Sequence, residues 1–305
     1  MSKHSELTIA GRTLPVSNLD KILYPEAGFT KAQVIDYYVR IAPVLLPHLK
    51  NRPITLKRYP DGVEGFFFYE KQCPAHHPDW IKTTTVAGGR REKIDYCMIN
   101  DLPSLVWAAN LANLELHTFL HRAPSITRPT ALAFDLDPGP PADIVLCCRV
   151  GLWLRAELDK LGLESFAKTS GSKGLQLYVP LNTAATYEKT KSFAHALAEK
   201  MERAHPAEIV SRMQKSLRNG KVLIDWSQND EHKTTVNVYS LRAKSHPTTS
   251  TPVTWREVEQ CWNKKDAGRL TFLTGQTLAR VEKHGDLFAP LLTLKQKLPS
   301  EKQLA

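Results

Sequence analysis

Three carboxylates stand in otherwise apolar, strand-like stretches. The first two lie in AFDLDPG at 133–139. Strand side chains at i and i+2 leave the same face, roughly 6.6–6.8 Å apart. Asp135 and Asp137 therefore point together, while Phe134 and Leu136 enter the core on the other side. Two like charges at the edge of a core are unfavourable unless a cation neutralises them. A divalent metal ion does that and adds Lewis-acid chemistry. Pro138 and Gly139 end the strand, leaving Asp137 near the rim of the sheet where ligands enter. Asp225, in KVLIDWSQ at 221–228, is a third acid on an apolar strand and can complete a two-metal site. Taken singly, each pattern also suits strand-end aspartates that cap a turn or pair with a lysine.

Between two predicted strands lies KTSGSKGL at 168–175. Gly171 and Gly174 let the backbone approach a phosphate closely. Ser170 and Ser172 can donate hydrogen bonds, and Lys173 supplies a compact positive charge. The spacing is not that of a Walker loop and no helix follows directly, so a polar hairpin turn is the competing reading. Cations flank the third acid: Arg212, Lys215, Arg218 and Lys221 before it, Arg242 and Lys244 after it. A solvated face has the same composition.

These groups need a scaffold, and the 305 residues leave ample chain for a core. Hydrophobic residues at 42% and charged residues at 24% exclude a disordered or fibrous chain. Lys and Arg number 41 against 31 Asp and Glu, a net charge of +10 that favours an anionic partner, nucleic acid first. A merely basic, soluble enzyme fits the charge as well. No apolar run reaches the roughly 18 residues of a membrane span, and the N-terminus has no signal-peptide stretch. The five cysteines are an odd number without a CxxC pair, which predicts reduced thiols in the cytoplasm. Cys73, His76 and His77 cluster, but no second ligand pair follows at zinc-finger spacing.

No repeat or low-complexity linker appears, which predicts one compact unit over 1–305 with a core at about 15–290. Residues 7–16 read as a hairpin, and Thr30 to Gln33 as a capping box opening an amphipathic helix through Val34, Tyr37, Tyr38 and Ile41, its end blurred by Pro43 and Pro47. Strands follow at 54–59, 66–70 and 94–99, a helix capped by Asp101 over 105–114, and an extended piece at 116–119. Strand and helix then alternate: strands at 131–137, 165–169 and 175–180, helices at 142–161 and 187–204. A strand pair at 221–226 and 234–239, helices at 255–262 and 278–284, and a frayed tail beyond 292 complete the reading. The fold class is α/β or α+β with a mixed sheet.

Together these segments resemble the primase-polymerases of the archaeo-eukaryotic primase superfamily. More closely, they resemble the polymerase domain of bacterial ATP-dependent DNA ligase D, which serves non-homologous end joining. The resemblance runs over about 15–290 through DKILYP (20–25), KRYP (57–60), FFYEK (67–71), FDLDPG (134–139) and TSGSKGL (169–175). It continues in KSLR (215–218), DWSQN (225–229) and YSLR (239–242). It implies a primase-like fold with an RRM-like catalytic core and an N-terminal α/β module. It also implies templated nucleotide addition at DNA ends and gaps, with a preference for ribonucleotides. Asp135, Asp137 and Asp225 match the acids that bind two manganese or magnesium ions. Ser170, Lys173, His117 and Arg242 match residues that hold the incoming NTP or dNTP. Lys57 and Arg218 match cations near the nucleic acid and nucleotide, and Lys21 and Lys31 a pocket for a downstream 5′-phosphate. Phe68 and Tyr69 match residues that stack on template bases. The aromatic run 66–69 also reads as core, since alternate members of a strand face inward.

One position departs from the family pattern SGSKGLH: this chain has Gln176 in the nucleotide-binding stretch where the family has histidine. Glutamine hydrogen bonds but carries no charge. Ku and an ATP-dependent ligase are implied partners. The length leaves no room for ligase or nuclease modules, which fits a stand-alone enzyme or an excised domain. Two rivals remain: a primase that starts chains without a primer, against which Lys21 and Lys31 argue, and a DNA-end-binding scaffold that lost catalysis, against which the three acids argue.

Overall fold

The computed structural model describes residues 4–87 and 93–300. They form two compact units rather than the single one expected from the sequence. One comprises the chain up to Pro124 with Thr234–Ser250 and Leu273–Gly285. The other comprises Ser125–Lys233, Thr251–Phe272 and the chain from Asp286 on. The chain passes back and forth between them, so no tether marks a boundary in the composition.

The second unit is built on a six-stranded sheet. Its order is Ile209–Val210, Val222–Asp225, Ala131–Pro138, Leu175–Pro180, Phe166–Thr169 and Pro252–Val253. Only the first pair is parallel. Along Ala131–Pro138 burial alternates as expected: Phe134 and Leu136 are buried, Asp135 and Asp137 only partly. The apolar side chains share one core with helices Ile144–Lys160, Tyr187–Ala204 and Trp255–Lys264. Each fully buried Leu or Phe there is worth about 1.5–3 kcal/mol. A one-residue slip would exchange core and acids, so this packing fixes the register. Asp143 and Thr186 accept hydrogen bonds from the backbone of Val145 and Lys189 and start the first two helices.

The first unit has a four-stranded antiparallel sheet in the order Thr235–Val236, Asn113–Thr118, Ile54–Arg58 and Phe68–Glu70. Helix Lys31–Leu49 opens with the expected Thr30–Gln33 capping box. It runs through Pro43 and Pro47, because both prolines lie on its exposed side while Val34, Tyr38, Ile41 and Leu45 are buried. The Tyr38 hydroxyl donates to the Leu114 carbonyl and the Tyr37 hydroxyl to that of Tyr239, joining the helix to the sheet and to the returning segment.

Several local expectations are corrected. The stretches 221–226 and 234–239 do not pair: Val222–Asp225 lies between Ile209–Val210 and Ala131–Pro138, and Thr235–Val236 pairs with Asn113–Thr118 in the other unit. The helix expected over 105–114 is Leu102–Asn110, starting directly after the Asp101 cap and leaving Asn113 to the strand. The tail is not frayed through 296. Gln296 exchanges hydrogen bonds with the Glu164 backbone and also bonds the Pro180 and Leu181 carbonyls. Residues 301–305 lie outside the described residues. Cys73 and Cys97, expected as thiols, form a disulfide. The hairpin Lys82–Ala87 and Lys93–Met98 brings Cys97 to Cys73, whose N–H donates to the Asp95 carbonyl, a closeness invisible to a local CxxC search. The other three cysteines are buried.

Candidate active site

The register of the six-stranded sheet sets Asp225 directly opposite Asp135. On the other side Gln176 opposes Asp135, and Lys168 opposes Gln176. Lys168, Gln176, Asp135 and Asp225 thus form a row across four strands, with Asp137 two residues further on the same face. The buried Lys168 donates from Nζ to Gln176 Oε1. An ammonium only donates, so the amide oxygen must face it, which turns the NH2 of Gln176 to its hydrogen bond with Asp135. Burial, and then the Asp225 charge, push the Asp135 carboxyl up to about 6 against the opposing pull of Gln176 and Lys168.

The remaining acids are oriented by neighbours. Asp225 accepts from the Ser227 N–H at 2.9 Å and from Gln228 Nε2 at 2.8 Å, both in the 3-10 turn Trp226–Gln228. Asp137 faces the Arg218 guanidinium at 3.3 Å. Among the described residues no three His, Cys, Asp or Glu side chains already close on one point. The donor set nevertheless fits a hard divalent cation: three carboxylates on adjacent strands, one of them raised in pKa by burial and then by the charge of another. The Gly-rich turn lies against the acid strand, since a side chain on Gly174 would collide with the Leu136 carbonyl. Ser170 Oγ accepts from the N–H groups of Ser172 and Gly174 at 3.2 and 3.1 Å, and Lys173 is exposed beside them.

The first unit gathers a second constellation around Glu115, which is buried with only 3% of its side chain exposed. Its Oε2 accepts from His117 Nε2 at 2.9 Å. Its Oε1 faces Lys57 Nζ at 3.6 Å and Arg242 Nε at 3.3 Å, and accepts from the Ala243 N–H at 3.0 Å. Burial alone would raise the Glu115 carboxyl. The His117 hydrogen bond and the charges of Arg242 and Lys57 outweigh it and hold the carboxyl far below the usual range. Burial lowers the His117 pKa despite the stabilising carboxylate.

The aromatic run is not core: Phe66, Phe67 and Tyr69 are exposed and Phe68 is half-buried. It forms two stacks. Phe66 lies on Phe68 with Arg58 over it; Phe67 lies on Tyr59, with Lys57 Nζ 4.6 Å from its ring centre and 5.3 Å from that of Tyr69. Lys31 is the first residue of its helix and is buried, its Nζ donating to the Ser17 carbonyl at 2.7 Å. Its N–H donates to the Lys21 carbonyl, and Lys21 Nζ pairs with Asp61 at 2.8 Å. Burial, then the charges of Lys21 and Arg58, push the Lys31 ammonium down to about 8.

The model of the family "LigD, primase-polymerase domain" matches residues 30–288. The chain belongs to the LigD primase-polymerase domain family. It is therefore a nucleotidyltransferase domain of the primase-polymerase kind. It is 40% identical over 278 residues to the multifunctional non-homologous end joining protein LigD of Mycolicibacterium smegmatis, covering 90% of this chain and 36% of that relative. It is 34% identical over 247 residues to the bifunctional LigD of Bacillus subtilis, covering 81% of this chain and 39% of that relative. The chain thus spans under half the length of either. Its structure is similar to that of the polymerase domain of Mycobacterium tuberculosis ligase D in complex with DNA, with a TM-score of 0.86 and 38% identity over 93% of this chain and 99% of that one. The mixed α/β architecture agrees with that match. Among the described residues no helix is long and apolar enough to cross a membrane.

Within this primase-polymerase domain, the structure brings Asp135, Asp137 and Asp225 onto adjacent strands. It joins Lys57, His117 and Arg242 through one carboxylate, and sets Lys21 beside Lys31. Arg218, expected near nucleic acid, stands at Asp137. Sequence reasoning missed three residues. Glu115 sits two before His117 and so shares its face, Lys168 opens the quoted Gly-rich motif, and Gln228 follows Asp225 by one 3-10 turn.

Proposed function

We propose that this domain adds templated nucleotides at DNA ends and short gaps, using manganese or magnesium ions held by Asp135, Asp137 and Asp225. The Asp135–Asp225 register, with Asp137 on the same face, is the observation that carries the reading. When bound, two such ions favour the deprotonated primer 3′-hydroxyl and offset the charge of the triphosphate. The chain's own groups orient and bind. Gln176, fixed by Lys168, aims the Asp135 carboxylate, and Ser227 and Gln228 aim that of Asp225. Nucleotide binding is assigned to Ser170 and Lys173, and to Lys57, His117 and Arg242.

Lys21 and Lys31, beside the electropositive start of helix Lys31–Leu49, bind a downstream 5′-phosphate. Phe68 and Tyr69 stack on template bases, and Arg218, which faces Asp137, contacts the nucleic acid. Ribonucleotide preference, Ku and an ATP-dependent ligase as partners, and a cytoplasmic setting complete the proposal. Primer extension on a one-nucleotide gap with a 5′-phosphate, manganese and single ribonucleotides tests it. Addition of the templated nucleotide alone is the expected result. No addition by folded protein with either metal would leave a DNA-end-binding scaffold.

A further inference from the structure

Glu115 gathers the three groups assigned to the nucleotide on the first unit, and no motif drew attention to it. It lies directly across the sheet from Lys57, since Ile54–Arg58 pairs antiparallel with Asn113–Thr118 in the register Lys57 to Glu115. His117 leaves the same strand face two residues later. Arg242 arrives from the separate strand Leu241–Ala243, whose Ala243 N–H is bound by the same carboxylate oxygen as Lys57 and Arg242. A buried carboxylate with charged partners on two strands and a neutral donor on a third position is costly to assemble without a purpose beyond packing. The same cluster continues into the aromatic face, because Tyr69 packs edge-on against His117 and lies under Lys57.

We infer that Glu115 is a positioning residue for nucleotide addition: it holds Lys57, His117 and Arg242 in one arrangement and partly offsets their charge, so that the triphosphate meets a fixed rather than a merely positive surface. The inference rests on the assignment of those three residues to the nucleotide. It has a sign that simple scaffolding lacks. Replacing the carboxylate by an amide leaves Lys57 and Arg242 less compensated, which favours any polyanion. It also frees the cations and His117 from one orientation, which disfavours the reacting geometry. Binding and turnover should therefore move apart.

The test compares Glu115→Gln, Glu115→Asp and Arg242→Ala in the whole protein. Labelled nucleoside triphosphate binding is measured by fluorescence anisotropy, alongside kcat and KM for gap filling. Glu115→Gln is expected to bind the triphosphate at least as tightly as the parent, with kcat lowered by about tenfold or more. Glu115→Asp, which keeps the charge but shortens the reach, should lower kcat less than the amide does, at unchanged KM. Raised KM with unchanged kcat, or no change in either, overturns the inference. If the amide variant does not fold, the same two readings on Glu115→Asp decide the matter. Arg242→Ala reports on the underlying assignment: triphosphate binding weakened several-fold supports it, and undiminished binding removes it irrespective of the Glu115 variants.

Discussion

Asp135 lies between an acid on one strand and an amide on the other, and burial together with Asp225 pushes its carboxyl up to about 6. An acid whose folded pKa exceeds its unfolded value favours the folded state when protonated. Stability is therefore gained as pH falls from about 6 towards 4, and the ionised carboxylate is a burden at neutral pH. Asp135→Asn should then stabilise the protein at pH 7.5 without divalent ions, by about 1–3 kcal/mol, while abolishing nucleotide addition. Thermal unfolding with and without manganese checks this. A lower Tm in the metal-free variant would contradict the electrostatic account. The Gln176 departure is answered by its surroundings: Lys168 brings a buried positive charge to the amide, so the position keeps a link between a cation and Asp135 without a protonated histidine.

Two elements set the site through their ends. The Gly-rich turn packs against the acid strand so closely that Gly174 has no room for a Cβ beneath the Leu136 carbonyl. Gly174→Ala should lift the turn, cost about 1–3 kcal/mol, and reduce addition more than it reduces DNA binding. Equal stability and activity in the variant would show that the turn yields freely. At the other site, helix Lys31–Leu49 begins with a lysine whose pKa lies near 8. Lys31 is charged below that pH and neutral above it, so affinity for 5′-phosphorylated ends should fall as pH rises from about 7 to 9. Ends carrying a 5′-hydroxyl should show little of this change, and Lys31→Ala should remove the difference between the two ends. Matching pH profiles for both ends in the parent protein would argue against a phosphate pocket.

The molecule as a whole is a positively charged chain, +10 by formal count, whose segments alternate along the sequence between two compact units. The first unit takes Thr235–Val236, Tyr239 and Arg242 from a segment that follows the whole central part of the second. A fragment ending at Lys233 keeps the acid strands yet lacks these residues. Hydrogen exchange should find helix Lys31–Leu49 unprotected in that fragment and protected in the full chain. Protection in both would mean that the first unit does not depend on the returning segment.

Much was legible because periodicity and local chemistry act over a few residues. The alternation around Asp135 and Asp137, the Thr30 capping box and the helix Tyr187–Ala204 all follow from spacing alone. The ordered motifs named the family because each was read in place along the chain. Pairing between distant segments was not legible. The strands at Val222–Asp225 and Thr235–Val236 look like partners in sequence and belong to different units. Cys73 and Cys97 are 24 residues apart and meet where the loop carrying Cys73 packs beside the strand Lys93–Met98, and Glu115 draws cations from two other strands. The amino-acid sequence by itself determined which faces are apolar and where the carboxylates, cations and glycines fall along the chain, since those are local properties. Only the tertiary structure decided which acid faces which, what surrounds Gln176, and that one buried carboxylate joins Lys57, His117 and Arg242. Those follow from cross-strand register and burial, which set the electrostatics and depend on the packing of the whole chain.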